Sequence, residues 1–467
     1  MEGLEVSEVM LSDVFYGVET LRLDSEYYNK KYLSAENYIK SNSMLFLKLS
    51  EMGLNVDGSA FYPALEPYYN QGNYPFLRVG DIKDYIDYEN CIKVPFEILY
   101  KYPTLKHCKK GDIVLTKGGT VGLAGLITQD CCVTRDLIFI NSSILLEEDY
   151  ICLFLYLSTK FSYYQLIRSS SQSVQPHLTI TLVRDIAVFK YSPQFRLTAS
   201  KIYKQSVEKR IQSQTLYHQA EELLLETIGL KDFQPSQAGI NIKSLKESFL
   251  RTGRLDAEYY QPKYEEIENL IKTCRSGYAS LDKFIDSYST GYPYKSETYI
   301  NNGIPLVRIN NLTKKGLDLS NAVYIPKEDI SLSSKDIAKE NDILISMSGT
   351  IGLSCVVTEK LSIVINQRIM KITPQNYNSH VLVLLLNSPI GKYQLNRIGT
   401  GGVQTNVSST DIKDITIPVV EDEIQQQISE LVEKSFYLCE ESKRLLDEAK
   451  EMVEKEIENE NSRVLIE

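Results

Sequence analysis

The sequence predicts a mixed α/β protein of duplicated design, in which two related globules are each followed by a long helix. Three observations carry that expectation. The 467 residues exceed one ordinary domain. Four blocks of sequence recur in the same order, at offsets of 232, 230, 230 and 229 residues. Two long stretches lack both Pro and Gly and carry apolar residues at helical spacing.

The first block is Arg22-Leu-Asp-Ser-Glu-Tyr-Tyr-Asn-Lys-Lys-Tyr32, which returns as Arg254-Leu-Asp-Ala-Glu-Tyr-Tyr-Gln-Pro-Lys-Tyr264 with 8 of 11 positions identical. It reads as an extended stretch, with a structural role in tying each domain start to its sheet. A helix start follows at Asn29 and at Gln261-Pro262, where proline's missing N–H costs nothing. Tyr74–Ile82 matches Ile304–Leu312. Lys109–Thr128 matches Lys339–Thr358, with 8 of 20 positions identical. Val174-Gln175 with Arg184-Asp185-Ile186 matches Val403-Gln404 with Lys413-Asp414-Ile415. A repeat this long indicates two domains rather than a solenoid unit.

Within each copy, short runs rich in Val and Ile read as strands: Pro305–Ile309, Asp342–Ser346, Ile351–Thr358 and Ile363–Thr373. Ile151–Leu157 and Val381–Leu386 begin buried helices. A polar loop follows each, at 169–177 and 399–406, and an apolar strand closes each copy at Asp185–Phe189 and Asp414–Val419. The expected domains are 1–193 and 232–420, with helices at 194–231 and 421–467.

After Pro418 no Pro or Gly occurs. Ile424, Ile428, Leu431, Ser435, Leu438, Ser442, Leu445, Ala449 and Met452 follow alternating steps of four and three, a heptad seam. The apolar positions after the first copy, from Leu197 through Ile202, Val207, Ile211, Leu216, Ala220 and Leu224 to Ile228, keep heptad time less well. Each helix alone would expose an apolar stripe, so the two are expected to pair antiparallel, through Ile211, Leu224, Ile428, Leu431, Leu438 and Leu445. Such a pair would set the globules at opposite ends, and a 33-residue helix would make a spacer of about 50 Å.

Composition narrows the function. The formal charge is −10, but residues 421–467 hold 15 acidic and 6 basic groups. The rest of the chain is nearly neutral and can carry local basic surfaces. The eight cysteines form no CxxC pair, and the four histidines make no HExxH, so neither a metal site nor a cofactor is expected. No phosphate loop, GxSxG motif or kinase set is present, nor the Pro-Pro-containing motif of amino-methyltransferases. Acidic residues interrupt the first positions, and no apolar run is long enough to cross a bilayer. The expected location is therefore the cytoplasm.

The residues suited to binding cluster in the repeated blocks. Gly118-Gly-Thr120 and Ser348-Gly-Thr350 lie between two expected strands. Gly119 and Gly349 would leave backbone N–H groups open to a phosphate, with Lys117, Ser348, Thr120 and Thr350 beside them, or would simply turn a hairpin. Arg78 and Arg308 follow a strand in both copies, with Asn310 and Asn311 after the second. Each arginine suits a phosphate, a guanine edge or an internal carboxylate. Gln172, Gln175 and His177 in one polar loop, and Gly402, Gln404 and Asn406 in the other, offer amide and imidazole groups to base edges or are solvated loop residues. Gln367 and Arg368 complete the set.

Taken together, RLDxEYY, Pro-x-x-Arg, a GDIL-like strand before SGT-x-G and a late Val-Gln…Asp-Ile segment, each written twice and followed by a long helix, resemble the DNA-specificity subunit of type I restriction–modification systems. The resemblance covers nearly the whole chain. It implies two α/β target-recognition domains separated by a pair of antiparallel coiled-coil helices. Each domain would read one half of a bipartite, asymmetric site in double-stranded DNA. The helices would set the spacing and dock two methyltransferase subunits, and restriction and translocase subunits would join the full complex. The chain itself would do no catalysis, bind no cofactor and meet no membrane. The first copy departs from the pattern: Ser348-Gly349 becomes Gly118-Gly119, and Asn366-Gln367 becomes Thr134-Arg135. Two readings from other classes stand beside this one. One is a scaffold of another phage-defence complex; the other is a methyltransferase with an unrecognised catalytic domain.

Overall fold

The computed structural model describes residues 8–16, 24–60, 62–170, 177–236, 240–358, 362–399 and 406–464. The chain forms two compact units, Met1–Lys209 with Glu441–Glu467, and Arg210–Glu440. These units cut across the ranges expected from the sequence. Each contains one globule and a part of both long helices, because the apolar stripes of the helices are buried in the same cores as the globules.

In the first unit, a four-stranded antiparallel sheet runs in the order Asn55–Gly58, Leu137–Asn141, Ile113–Thr116, Ala124–Leu126. A second sheet runs Ile92–Val94, Tyr74–Leu77, Cys131–Val133, Lys106–Cys108, and its central pair is parallel. Phe46–Lys48 pairs with the closing strand Ala187–Phe189. The strands are buried on both faces where the sheets face each other and the helices: Ile113, Val114 and Leu115 are fully enclosed. Helices Glu147–Leu157 and Lys160–Ser169 cover one side. The first of these is buried through Ile151–Leu157, which is why it reads as an uninterrupted apolar run.

The second unit repeats this plan and adds a short hairpin, Leu312–Thr313 with Gly316–Leu317. One sheet runs Ile285–Ser289, Ile369–Pro374, Ile343–Ser346, Ser354–Val356; the other runs Val323–Ile325, Ile304–Val307, Ile363–Ile365, Ile337–Ala338. Its central pair is again parallel. Tyr278–Ser280 pairs with the closing strand Thr416–Pro418, and Ser379–Asn387 is the wholly buried helix. Asp112 and Asp342, which give the repeated Lys-x-x-Asp its meaning, are buried and accept the backbone N–H of Lys109 and Lys339 at 2.8 Å.

The RLDxEYY block is not extended. Residues 25–28 form turns and Ala257–Tyr260 a 3-10 helix. The aspartate starts the turn: Asp24 Oδ1 accepts Tyr27 N–H at 2.8 Å, and Asp256 is the residue before the first helical position. Arg22 and Leu23 lie outside the described residues. The helix starts fall as expected, at Asn29, whose side chain accepts Lys31 N–H, and at Pro262.

The long helices are Pro193–Thr227 and Asp422–Val464. In the first unit, Ser442 Oγ donates to Ser206 O at 2.7 Å, and Tyr191 Oη donates to Val453 O at 3.2 Å. In the second, Ser435 Oγ donates to Ser213 O at 2.7 Å, and Arg210 Nη1 donates to Cys439 Sγ at 3.0 Å. Residue numbers rise on one helix as they fall on the other, so each unit contains an antiparallel pair.

The seam differs from the expected one. Ile428, Ser435, Ser442 and Ala449 are buried as expected, but the alternate positions are Val432, Cys439, Leu446 and Val453; Leu431, Leu445 and Met452 are half-buried. Leu438 is buried and Leu224 almost fully so. Ile211 is 56% exposed, so it takes no part in the pairing. The first helix does keep heptad time, through Ala199, Tyr203, Ser206, Arg210, Ser213, Tyr217, Ala220 and Leu224. Every one of these positions recurs 229 residues later as a seam position of the second helix. A count of aliphatic residues misses this, because serine, arginine and tyrosine hold five of these eight positions.

Candidate functional site

In each unit most of the candidate residues lie in loops that follow three strands, two from the sheet with the parallel pair and one from the antiparallel sheet. In the second unit, Ile304–Val307 ends at Arg308. Asn311 fixes the turn beyond it, accepting Arg308 N–H at 2.9 Å and donating to Asp318 O at 2.9 Å. Asn311 is 1% exposed, so it positions the loop and does not present a surface to a ligand; the expectation of DNA contact at Asn311 is corrected accordingly. Asn310 is exposed. The guanidinium of Arg308 is half-buried, with Nη2 3.4 Å from Asn321 O and Nε lacking a hydrogen-bond partner.

The turn after Ile343–Ser346 places Gly349 at φ 70° and Gly352 at φ 78°, in the left-handed region that side chains disfavour. Gly352 N–H donates to Ser346 O at 2.9 Å, closing the hairpin. Thr350 and Gly349 are exposed at its tip, and Ser348 is 9% exposed. Thus the glycines do turn a hairpin, and the same turn leaves its tip open to solvent. Beside it, Met347 N–H donates to Arg368 O at 2.9 Å, Val407 N–H donates to Met347 O at 3.0 Å, and Ser348 and Asn406 are bridge partners. Arg368 Nη1 donates to Asn406 Oδ1 at 3.1 Å. Arg368, Gln367 and Asn406 are all exposed.

The first unit has the same backbone frame. Lys117 N–H donates to Asp136 O at 2.8 Å, and Leu178 N–H donates to Lys117 O at 3.0 Å. Gly119 lies at φ 75° and Gly122 at φ 84°, with Thr120 exposed. Arg78 pairs with Asp81, 3.6 Å away, so here the arginine meets a carboxylate of its own loop. The second unit has Asn311 at the position of Asp81, and Arg308 lacks that carboxylate partner. Lys117 is half-buried and His177 exposed. Gln172, Gln175, Gly402 and Gln404 lie outside the described residues.

The structure also reveals what the sequence reading missed. Asp136 and His177 both lie beside Gly118: a Cβ on Gly118 would lie 3.0 Å from His177 Cε1 and 4.0 Å from Asp136 Oδ1. Tyr62 accepts Arg135 N–H at 3.2 Å and lies 3.3 Å from Thr134 Oγ1. No regular spacing could have pointed to either residue. Only alignment of the two copies, placing Asp136 against Arg368, gives a signal. Burial pushes the thiols up, to about 12 at Cys132 and Cys152. Among the described residues, no group of three or more His, Cys, Asp or Glu could hold a metal ion.

The fold and this duplicated end define a class. The family described as Type I restriction modification DNA specificity domain matches residues 46–188 and 278–451, which is more than half of the chain, and the protein belongs to that family. Among individual proteins, it is similar to the type I restriction enzyme EcoBI specificity subunit of Escherichia coli, 27% identical over 140 residues. That match spans 29% of each chain, so the chain aligns with under a third of this relative's length. Solved structures it resembles include the type I restriction–modification S subunit from M. genitalium, with a TM-score of 0.40 at 12% identity over 88% of this chain and 94% of that one. The HsdS subunit from Thermoanaerobacter tengcongensis is another, with a TM-score of 0.27 at 13% identity over 86% and 96%. Among the described residues, no helix is long and apolar enough to cross a membrane.

Proposed function

We propose that this protein is the DNA-reading subunit of a type I restriction–modification complex and has no catalytic activity of its own. Each unit reads one half of a bipartite, asymmetric site. The long helices that join the units set the gap between halves and dock two methyltransferase subunits, to which restriction and translocase subunits are added. One observation carries this reading: in a family named for DNA specificity, two units share one backbone frame at the ends of their strands yet expose different polar side chains there. A shared frame with divergent tips is what two readers of different sequences need.

The nearly neutral globules can neutralise few phosphates, so the salt-sensitive part of binding belongs to the partner subunits. The isolated chain is expected to bind DNA weakly at physiological salt. Mapping modified bases in DNA exposed to the complete complex tests the proposal. A split motif modified on both strands supports it; methyl transfer by the purified chain alone overturns it.

A further inference from the structure

The two units offer different chemistry at one equivalent place. In both, the residue two before the hairpin's positive-φ glycine links the same two segments: Lys117 joins Asp136 to Leu178, and Met347 joins Arg368 to Val407. On this common frame the second unit presents Arg368, held by Asn406 at 3.1 Å. The first presents Asp136 and His177, both beside Gly118. The shared backbone hydrogen bond matches Asp136 to Arg368, and the repeat offsets of 230 and 229 match Gly118 to Ser348 and His177 to Asn406.

Gly118 shows that these differences belong together. A side chain at 118 would bring its Cβ to 3.0 Å from His177 Cε1 and 3.1 Å from Nδ1. The imidazole lies across the glycine in the space that a serine there would need. The second unit has the smaller asparagine opposite, and tolerates Ser348.

We propose that Arg368 with Asn406, and Asp136 with His177, are the residues that give the two half-sites different bases at this position; this rests on the DNA-reading function above. A guanidinium only donates hydrogen bonds. One of its N–H groups is taken by Asn406, which orients the rest toward a paired acceptor edge, and guanine O6 and N7 supply that edge. An ionised carboxylate only accepts, so Asp136 selects a base with an exocyclic amino group in the major groove, cytosine N4 above all. His177 lies beside the same glycine and shapes the approach.

The test uses the chain assembled with its native complex partners. The assembly is incubated with a pool of randomised DNA duplexes, and the retained DNA is sequenced. The parent is expected to select two constant blocks across a fixed gap. Arg368→Gln should lose about tenfold or more of the guanine preference at a single position of one block, and leave the other block intact. Asp136→Asn should relax one position of the other block by a similar factor, and Gly118→Ser should disturb that same block. The unaffected block reports that each variant still folds and assembles. The inference is overturned if Arg368→Gln or Asp136→Asn leaves both blocks unchanged, if the two variants alter the same block, or if either abolishes selection everywhere. Should the parent retain DNA without constant blocks, the proposed function fails, and this inference falls with it.

Discussion

Arg168 and Arg397, 229 residues apart, make the same use of one buried side chain in the two units. Arg397 Nε donates to Tyr259 O at 3.0 Å, Nη1 reaches Glu268 at 2.7 Å, and the guanidinium stacks on Tyr259 with its centre 4.5 Å from the ring. Arg168 donates to Tyr27 O, lies over the Tyr27 ring and pairs with Glu36. The tyrosines belong to the RLDxEYY block, whose structural role is thereby explained. The block itself was legible as a repeat. Its partner was not, because no local pattern links Tyr259 to an arginine well over a hundred residues further along. Arg397→Met removes these bonds from a nearly buried position and strands Glu268. It should destabilise the second unit by about 2–3 kcal/mol, read as a lower denaturant midpoint. His380 supplies a pH dependence. Burial pulls its imidazole below the usual 6.5, with Glu433, 3.8 Å away, opposing that shift. The unfolded chain therefore takes up this proton more readily than the folded one. The associated stability is present above pH 6.5 and is lost as the pH falls below it toward the folded value. His380→Gln should flatten that part of the fall in melting temperature on acidification; an unchanged pH profile would count against it.

At the scale of the elements, the heptad of the second helix was legible, but half of its phase was not. At each alternate step the chain offers two adjacent apolar residues: Leu431-Val432, Leu438-Cys439, Leu445-Leu446 and Met452-Val453. Periodicity alone cannot choose between neighbours. The choice is made by the other helix, whose small seam residues, Ser206 and Ser213, let the backbones approach closely enough for side chain–to–backbone hydrogen bonds. Two comparisons check this register. Leu446→Ala should cost about 2–4 kcal/mol, since Leu446 is 2% exposed, whereas Leu445→Ala at its half-buried neighbour should cost less than about 1 kcal/mol. Ser435→Leu should be worse than Ser435→Ala: both lose the hydroxyl's hydrogen bonds with Ser213 O and Ser213 Oγ, about 1 kcal/mol each, but leucine must also force the helices apart at a cost of about 1–3 kcal/mol or more. Equal melting temperatures for the two serine variants would contradict the close approach. The strands were easier to locate, because their Val- and Ile-rich runs are bounded by Gly, Asn and Asp. What the sequence concealed was their order in the sheets, where non-consecutive strands such as Tyr74–Leu77 and Cys131–Val133 lie side by side.

For the molecule as a whole, duplication was legible, but the division of the chain was not. Offsets in the sequence mark copies, whereas folding units follow buried contacts. Leu446, Ala449, Val453 and Ile457 belong to the hydrophobic core of the first unit, together with Phe154, Tyr203 and Val188. Tyr38 Oη donates to Ile457 O, and Lys160 N–H donates to Glu454 at 2.8 Å. A fragment of residues 1–231 should therefore unfold without a sharp transition, even though it contains the whole first repeat. Adding a peptide of residues 441–467 should restore a cooperative transition. Sharp unfolding of the fragment alone would show that those contacts are dispensable.

The same core sets an order of events on the ribosome. The residues that complete the first-made globule, from Glu441 onward, are translated well after those that end at Lys209, with a delay on the order of tens of seconds at ordinary elongation rates. Until then that globule waits with an unfilled apolar face. A message cut short after the first repeat would thus release an incompletely folded chain, ready for proteolysis.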